Sequence, residues 1–420
     1  MTVLKQIKES FRFAWNALRM NILRTVLSLL GVSIGIFAII SVLTIVDSLE
    51  RNIRESLDFL GSDIIYVTKW EFLPDADGVY KWWEFMRRPN PSYFEYKVLE
   101  ENLRYAEGIS VFADRGGHTL KNGCNSVENI TLTGVSYTYK NTKDLKIDQG
   151  RYFTPTETSA GRNVAIIGSE IAKSLFPNNS SPIGETMKVK NIKFVIIGIL
   201  EFEGESFLGT PSSDETCIIP YGAFRKLYLT GTGASNELGS AIALKGYSSD
   251  IGLIELENEV TGLMRNLRGL KPKEKNNFAL NRPEAIGKVL DGLFNVLNIA
   301  GWVIGGFSIL IGGFGIANIM FVSVKERTSI IGLQKSLGAK NYFILFQFLF
   351  EAIFLSLIGG GAGLVLVYLI TLIPMGSLEV SMSFANIMIG LGVSTAIGTL
   401  SGIIPSARAA NMDPVIAIRS

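Results

Sequence analysis

The chain has 420 residues, of which 47% are hydrophobic and 19% are charged. Its 43 glycines are many for a globular domain, and glycine is tolerated better in membrane-spanning helices than in soluble ones. The composition therefore predicts a membrane protein with a large soluble part. A formal net charge of +2 argues against the concentrated basic face expected of a nucleic-acid-binding protein.

Four apolar stretches are long enough to cross a hydrocarbon core about 30 Å thick. The second of them, at about 1.5 Å rise per residue, exceeds the bilayer by several turns, so its first part is predicted to be a stalk outside the membrane. In chain order the sequence predicts a cytoplasmic amphipathic helix at 1–24, a first span at 25–49, an external domain at 50–290, a stalk and second span at 291–324, a cytoplasmic helical turn at 325–341, a third span at 342–373, a short external loop at 374–383, a fourth span at 384–405 and a cytoplasmic tail at 406–420.

Basic residues concentrate before the first span, between the second and third spans, and in the tail. By the positive-inside rule, these three segments and both termini are predicted to lie in the cytoplasm. The first span lacks the small-residue cleavage site of a removed signal peptide and is predicted to be a signal anchor. The basic residues that decide the orientation are Lys5, Lys8, Arg12, Arg19, Arg24, Lys325, Arg327, Lys335, Lys340, Arg408 and Arg419.

The translocated block alternates short, branched strand patterns with amphipathic helix patterns. This order predicts a folded α+β domain, or two subdomains, large enough to bury real cores. The predicted strands are 63–68, 163–168, 194–200 and 216–220, and the predicted helices are 91–103, 169–175 and 250–267.

An unusual group of aromatic and apolar residues stands among charges within residues 74–91. It predicts either an exposed surface that contacts a membrane or a partner, or a loop that packs on its own domain. The group consists of Trp82, Trp83, Phe85 and Met86.

The two cysteines and the single histidine also fall in the external domain. Cys124 and Cys217 would meet an oxidising compartment, so a disulfide and a pair of separate thiols are both open. His118 follows two glycines in a predicted loop. Because no cysteine or acidic residue accompanies it at a ligand spacing, no metal site is predicted.

Polar residues and glycines interrupt the apolar spans. Glu351 lies about ten residues into the third span, roughly 15 Å deep, where ionisable groups are functional candidates. Gln347 is one turn away, so a structural hydrogen bond and a transport or gating role are both open.

Small-xxx-small spacing predicts close helix packing, within the chain or with its copy in a dimer. The glycines concerned are Gly31, Gly35, Gly305, Gly306, Gly312, Gly313, Gly315, Gly359, Gly363, Gly398 and Gly402.

Several catalytic motifs are absent from the sequence. It contains no Gly-x-x-x-x-Gly-Lys-Ser/Thr phosphate loop, no Gly-x-Ser-x-Gly elbow, no His-Glu-x-x-His and no paired metal-binding cysteines. The spans also lack the series of acidic and histidine residues of a proton-driven pump. The chain is therefore predicted not to be an enzyme, and to be moved by another protein.

Sequence fragments in a characteristic order carry a family resemblance. They are RMNILRTVLSLLGVSIGIFAII at 19–40, then GRYFTPTE, NVAIIGSEIAKSLFP and SPIGETMKV between 150 and 189, then NIMFVSVKERTSIIGLQKSLGA at 318–339, and IIPSARAANMDPVIAIRS at 403–420. In these fragments, and over nearly its full length, the chain resembles a MacB-type permease of the FtsX-like ABC transporter superfamily. The resemblance implies four transmembrane helices with a MacB-like α+β periplasmic core domain between the first two.

In that family, the loop after the second span forms a cytoplasmic coupling helix that docks on a nucleotide-binding domain. The resemblance implies this role for Glu326, Arg327, Gly332, Lys335, Gly338 and Ala339. It also matches a tail signature at Pro405, Ala407, Arg408, Ala409, Ala410, Asp413 and Pro414. Where the family motif usually has charged residues, this chain has Ser329, Ile330 and Gln334, which changes the surface offered to the ATPase.

The resemblance implies a mechanotransmission permease of the inner membrane with its large domain in the periplasm. About two dozen residues precede the first span, so a separate ABC ATPase subunit is expected, with ATP and Mg²⁺ bound there and no cofactor in this chain. Two permease chains, identical or related, are expected to form a dimer that serves substrate efflux, together with a periplasmic adaptor or outer-membrane partner. The alternatives are a lipoprotein-release permease, an FtsX-like regulator of cell-wall hydrolases, and an anchored receptor without an ATPase.

Overall fold

The computed structural model describes residues 22–58, 61, 63–74, 78–143, 145–177, 181–204, 212–373 and 378–419. The helix predicted at 1–24 lies outside the described residues up to position 21, and so do residues 374–377 of the predicted external loop. The chain divides into two compact units, a membrane unit (Met1–Asn52 and Asp291–Ser420) and an external unit (Ile53–Leu290). Each unit has its own hydrophobic core.

The described residues form these helices: α1 (Ile22–Asp58), α2 (Trp82–Phe85), α3 (Tyr93–Asn102), α4 (Tyr139–Thr142), α5 (Pro155–Ser159), α6 (Ser169–Leu175), α7 (Tyr221–Leu227), α8 (Ile254–Leu267), α9 (Pro283–Glu326), α10 (Thr328–Ser336), α11 (Asn341–Thr371), α12 (Phe384–Ala410) and α13 (Pro414–Arg419). The strands are β1 (Ile64–Thr68), β2 (Ala106–Asn122), β3 (Asn125–Val135), β4 (Ile147–Gly150), β5 (Val164–Ile167), β6 (Thr186–Val189), β7 (Ile192–Leu200), β8 (Thr216–Pro220), β9 (Ala241–Gly246) and β10 (Ala279–Asn281). Two 3-10 turns lie at Ser213–Glu215 and Ile251–Leu253.

Four of these helices, α1, α9, α11 and α12, are long and apolar enough to cross a membrane. Helix α9 has 44 residues. At about 1.5 Å rise per residue it is roughly 66 Å long, about twice the thickness of a hydrocarbon core. The residues predicted as stalk and second span therefore form one uninterrupted helix.

The core of the membrane unit is built around helix α1. Val32, Ile36 and Ile39 recur at helical spacing and are each 1% exposed. They belong to one buried cluster with Met320 of α9 and Phe348 of α11, and the cluster extends to α12. Helix α1 thus buries its apolar face against the other three spans.

Glycines let the helices of the membrane unit approach closely. A Cβ added to Gly312 would lie 3.0 Å from the Cα of Val32, and one added to Gly363 would lie 2.7 Å from the carbonyl oxygen of Ser33. The Ser33 hydroxyl donates a hydrogen bond of 2.8 Å to the carbonyl of Gly359. Most of the other predicted packing glycines also face helices of the same chain, with Gly31 and Gly35 against α9, Gly359 against α1 and Gly313 against α12. Gly306 is an exception, because a Cβ added there would meet no atom within 4 Å.

Gly363→Ala is expected to destabilise the membrane unit by about 1–3 kcal/mol, because the new methyl group must push away the α1 backbone. The thermal unfolding midpoint of the chain in detergent measures the effect. Gly361→Ala is the matched control on the same helix, since a Cβ there would meet no atom within 4 Å. Equal midpoints for the two variants would contradict the close approach of α1 and α11.

The external unit is built on one mixed sheet of ten strands. The strand order is β10-β1-β9-β2-β3-β8-β5-β7-β4, and β6 pairs with β2 and β7. The pairs β3–β8 and β5–β7 are parallel, and the other named pairs are antiparallel. Leu99 of α3, Phe224 of α7 and Leu256 of α8 pack with alternate strand residues in the main core. The predicted fold class, four spans with an α+β domain between the first two, is confirmed.

The long hairpin formed by β2 and β3 is absent from the sequence-based prediction. The glycines before His118 suggested a loop, and this was wrong: they form a bulge inside β2, where Gly117 has a φ of +76° and the register shifts between Arg115 and His118. His118 is buried, and its Nε2 lies 2.8 Å from the hydroxyl of Tyr228. Burial, followed by the charges of Lys190 and Arg115, lowers the pKa of His118. The histidine is therefore a neutral core residue.

The cysteines and the aromatic group of the external unit are each divided between surface and core. Cys124 is exposed at the tip of the β2–β3 hairpin, Cys217 is buried in β8, and both are free thiols, so the disulfide alternative is wrong. Phe85 is 3% exposed, and the guanidinium of Arg88 lies 4.3 Å from its ring centre. The other three residues of the aromatic group are about half exposed, namely Trp82, Trp83 and Met86.

Candidate coupling site

The charged turn between α9 and α11 folds as the short helix α10, which is bounded by two breaks. Arg327, with φ −107° and ψ 14°, separates α9 from α10. At the other end, the N–H of Gly338 donates to the carbonyl of Lys335, and the N–H of Ala339 donates to the carbonyl of Gln334. Gly338 has a φ of +95°. This is the Schellman arrangement, in which the residue after the helix adopts a left-handed conformation, and it explains glycine at position 338.

An ion pair fixes the start of α10 to the third span. Arg327 Nη1 lies 3.2 Å from Glu351 Oε2, and the two side chains are 17% and 3% exposed. The Ser323 hydroxyl lies 3.5 Å from the other oxygen of Glu351. The carboxylate is thus bound to Arg327 rather than to Gln347, whose Oε1 is buried and has no hydrogen-bond partner among the described residues.

A second contact fixes the end of α10 to the turn between α12 and α13. Lys335 Nζ donates a hydrogen bond of 2.7 Å to the carbonyl oxygen of Met412. Asp413 accepts a hydrogen bond of 2.8 Å from the N–H of Val415, and Pro414 is the first residue of α13. A capping aspartate followed by proline is a favourable helix start, so the tail signature shapes the turn that Lys335 contacts.

The remaining residues of the tail signature mainly pack the end of α12. Pro405, Ala409 and Ala410 are buried. The guanidinium of Arg408 lies 5.2 Å from the ring centre of Phe321 on α9. These contacts hold the C-terminal ends of α9 and α12 beside each other, next to α10.

Helix α10 has one buried face and one exposed apolar face. Ile331 and Gly332 are buried against the membrane unit. Ile330, Leu333 and Leu337 are 55%, 56% and 80% exposed, and their spacing places them along one side of the helix. We call these three residues the coupling surface. An exposed apolar stripe of this kind is a candidate interaction site.

The sequence analysis noted Ile330 only as a departure from a charged motif and missed the other members of the coupling surface. Their spacing of three and four residues was the signal for a single apolar stripe. Glu326, a predicted site residue, is exposed at the end of α9. Within the described ranges, no group of three or more histidine, cysteine or acidic residues is placed to hold a metal ion.

Together, the fold and the coupling site define a multi-span membrane protein that carries a large domain between its first two spans and a structured helix between the next two. A family model described as the MacB-like periplasmic core domain matches residues 25–251. A second model, the FtsX-like permease C-terminal domain, matches residues 302–414. The chain belongs to the family of MacB-like, FtsX-type permeases, which confirms the resemblance seen in its sequence.

Two relatives illustrate the similarity. The pyoverdine export ATP-binding/permease protein PvdT of Pseudomonas fluorescens is 27% identical over 421 residues, which cover 99% of this chain and 60% of the relative. The macrolide export ATP-binding/permease protein MacB of Marinobacter nauticus is 28% identical over 424 residues, covering 98% and 61%. The chain therefore spans about three fifths of the length of these curated relatives.

A comparison with solved structures gives one further similarity. The periplasmic region of MacB from Actinobacillus actinomycetemcomitans has 19% sequence identity and a TM-score of 0.43. The match covers 56% of this chain and 95% of that structure.

Proposed function

We propose that this chain is the permease part of an ABC exporter and that it transmits the movement of an ABC ATPase to its external domain. One observation carries the proposal: α10 is fixed to the spans at both ends while its coupling surface stays exposed. The contacts of Arg327 with Glu351 and of Lys335 with Met412 make α10 an extension of the membrane unit. An ATPase that binds the coupling surface would therefore move the spans, not an isolated loop.

In the proposed cycle, ATP and Mg²⁺ are held by the ATPase, and closure of two ATPases displaces the α10 helices of two permease chains, identical or related. Displacement of α10 acts on α11 through the buried ion pair and on α12 through the Met412 turn. Helix α9 is joined to α10 through the single residue Arg327 and is itself unbroken over 44 residues. A continuous helix of this length moves as a rod, so it would pass the displacement to the far side of the membrane. The relatives named for pyoverdine and macrolide export support an exporter.

The test is to purify the chain by an affinity tag and to ask whether an ABC ATPase is recovered with it. Variants with a substituted surface residue are then compared with the unchanged chain. Leu333→Asp is expected to weaken ATPase binding by on the order of tenfold or more, because it places a charge in the middle of the apolar contact. The readout is ATP hydrolysis in the purified complex. Ile254→Asp is the control, since Ile254 on the external unit is 58% exposed, close to the 56% of Leu333. Undiminished hydrolysis with Leu333→Asp would contradict docking at α10.

We further propose that both termini, α10 and α13 lie in the cytoplasm and that the external unit lies in the periplasm. A membrane-impermeant maleimide should then label Cys124, which is exposed, in cells with a permeabilised outer membrane, and should leave the buried Cys217 unlabelled. A Leu337→Cys substitution in a Cys124→Ser background should react only after the inner membrane is opened. Labelling of that cysteine in sealed cells would reverse the orientation and remove the ATPase contact.

A further inference from the structure

A cleft of about 790 Å³ lies on one face of the external sheet. Successive strand residues point to opposite faces, so Ile65 and Val111 enter the main core while their neighbours Tyr66 and Phe112 line the cleft. The volume falls within the range of roughly 300–1,000 Å³ that is usual for small-molecule sites. The cleft therefore lies on the face of the sheet opposite the main core, beside helix α4.

Aromatic rings form one wall of this cleft. The ring centres of Tyr66 and Phe112 are 6.2 Å apart, and those of Phe112 and Tyr139 are 5.5 Å apart. Phe72 extends the wall, with its ring centre 6.3 Å from that of Tyr66. The faces of such rings carry negative charge density and attract cations. The ammonium of Lys143 already lies 5.7 Å from the ring centre of Tyr66.

The lysines that line the cleft are all engaged with groups of the protein. Lys245 Nζ lies 3.4 Å from Glu107, and Lys140 Nζ lies 4.5 Å from the ring centre of Tyr137. Burial lowers the pKa of Lys143 to about 8, against the opposing charge of Glu203. These lysines are therefore not arranged as an anion-binding cluster.

Asp114 is one of three acidic residues that line the cleft, with Asp63 and Glu203. It lies opposite Thr133 in the β2–β3 pairing and lines the cleft. Among the described residues its carboxylate makes no ion pair. The Asp114 side chain is exposed to solvent at the cleft, and burial, followed by the charge of Asp114, raises the pKa of the neighbouring Tyr139. A cation placed beside the aromatic wall would stabilise this carboxylate.

We propose that the cleft binds an amphiphilic organic amine, with Asp114 as the counter-ion of its ammonium group and Phe112 and Tyr139 as the cation-binding wall. The apolar part of the ligand lies along Leu200 and Ile218, which also line the cleft. An anionic ligand would instead meet the carboxylates of Asp114 and Glu203. The inference concerns the external unit and does not depend on the ATPase docking proposed above.

Equilibrium binding to the full chain in nanodiscs, measured by calorimetry, tests the inference without any ATPase. Benzyltrimethylammonium is the probe, and its uncharged isostere neopentylbenzene and the anion phenylacetate are the comparison compounds. Binding of the cation is expected, and Asp114→Asn should weaken it by about threefold to fivefold, because it removes a charge contact at a solvent-exposed carboxylate. Phe112→Leu should also weaken it, by several-fold. Asp148→Asn is the matched control, since Asp148 is exposed on β4 and does not line the cleft.

Three outcomes would overturn the proposal: no saturable binding of the cation, equal affinity for the cation and either comparison compound, or unchanged affinity in both Asp114→Asn and Phe112→Leu. The Phe112 variant keeps the test decisive if Asp114→Asn fails to fold. Because binding is measured without nucleotide, failure here leaves the proposed ATPase coupling standing. Undiminished ATP hydrolysis with Leu333→Asp, which would contradict docking at α10, would likewise leave the cleft proposal untouched.

Discussion

Arg327→Leu is expected to destabilise the membrane unit by about 3–5 kcal/mol, because it leaves the Glu351 carboxylate buried without its counter-ion. Glu351 is 3% exposed, and its second contact, with Ser323, is long at 3.5 Å. Glu351→Leu should cost less. The Arg327 side chain is 17% exposed at the end of a span, and a long arginine can turn its charged group toward water. The unfolding midpoint of the purified chain measures both effects.

The double variant Arg327→Leu/Glu351→Leu separates stability from force transmission. Replacing a buried ion pair by apolar residues of similar size is often neutral or stabilising, so most of the stability should return. The bond between α10 and α11 is not restored, so coupling of ATP hydrolysis to transport should remain low. Lys288→Leu is the control, because the Lys288–Glu284 pair on α9 is 73% and 51% exposed and its loss should have little effect. Full coupling in the double variant would show that the pair serves folding alone.

The spans and the coupling helix were predictable because each has a strong local pattern. A long apolar run sets a span, and a charged break followed by Leu-Gly-Ala sets a short helix with a glycine end. The ion pair between Arg327 and Glu351 could also have been predicted from the sequence. Arg327 and Glu351 lie 12 residues before and 12 residues after Ala339, since 339 − 327 and 351 − 339 both equal 12. Helices that fold back on each other at a tight turn place such positions side by side.

The external unit was predictable only where strands are short and apolar. Strand β8 coincides with the predicted 216–220, because Thr216 to Ile219 form a short β-branched and apolar run that is typical of a buried strand. The β2–β3 hairpin was missed because Asp114, Arg115 and two glycines interrupt the apolar alternation at the bulge. The cleft was missed partly for the same reason, because the polar residues that line it have the pattern of a loop. In addition, the strands that bring Asp114 beside Tyr139 are assembled by pairing between residues far apart in the sequence.

The pairing of Glu95 with Arg268 shows what a sequence cannot reveal, because 173 residues separate the two partners. Arg268 Nε lies 2.7 Å from Glu95 Oε1, and Nη2 lies 3.3 Å from Oε2, with side chains 6% and 10% exposed. Glu95 also accepts from the N–H of Ser92 at 2.7 Å, completing the capping box of α3. One carboxylate thus both starts α3 and binds it to the end of α8.

Glu95→Ala is therefore expected to destabilise the external unit by about 3–5 kcal/mol, more than any exposed ion pair of the unit. The reason is twofold: Arg268 loses its buried counter-ion, and α3 loses half of its capping box, which alone contributes about 1 kcal/mol. Arg268 keeps its bond of 2.8 Å to the carbonyl of Asn277, which places the expected loss at the lower end of that range. Glu170→Ala is the control, because the Lys173–Glu170 pair is 64% and 47% exposed and should contribute under about 1 kcal/mol. Equal unfolding midpoints for the two variants would mean that the buried pair is no stronger than a surface pair, and that α3 and α8 are held together by apolar contacts alone.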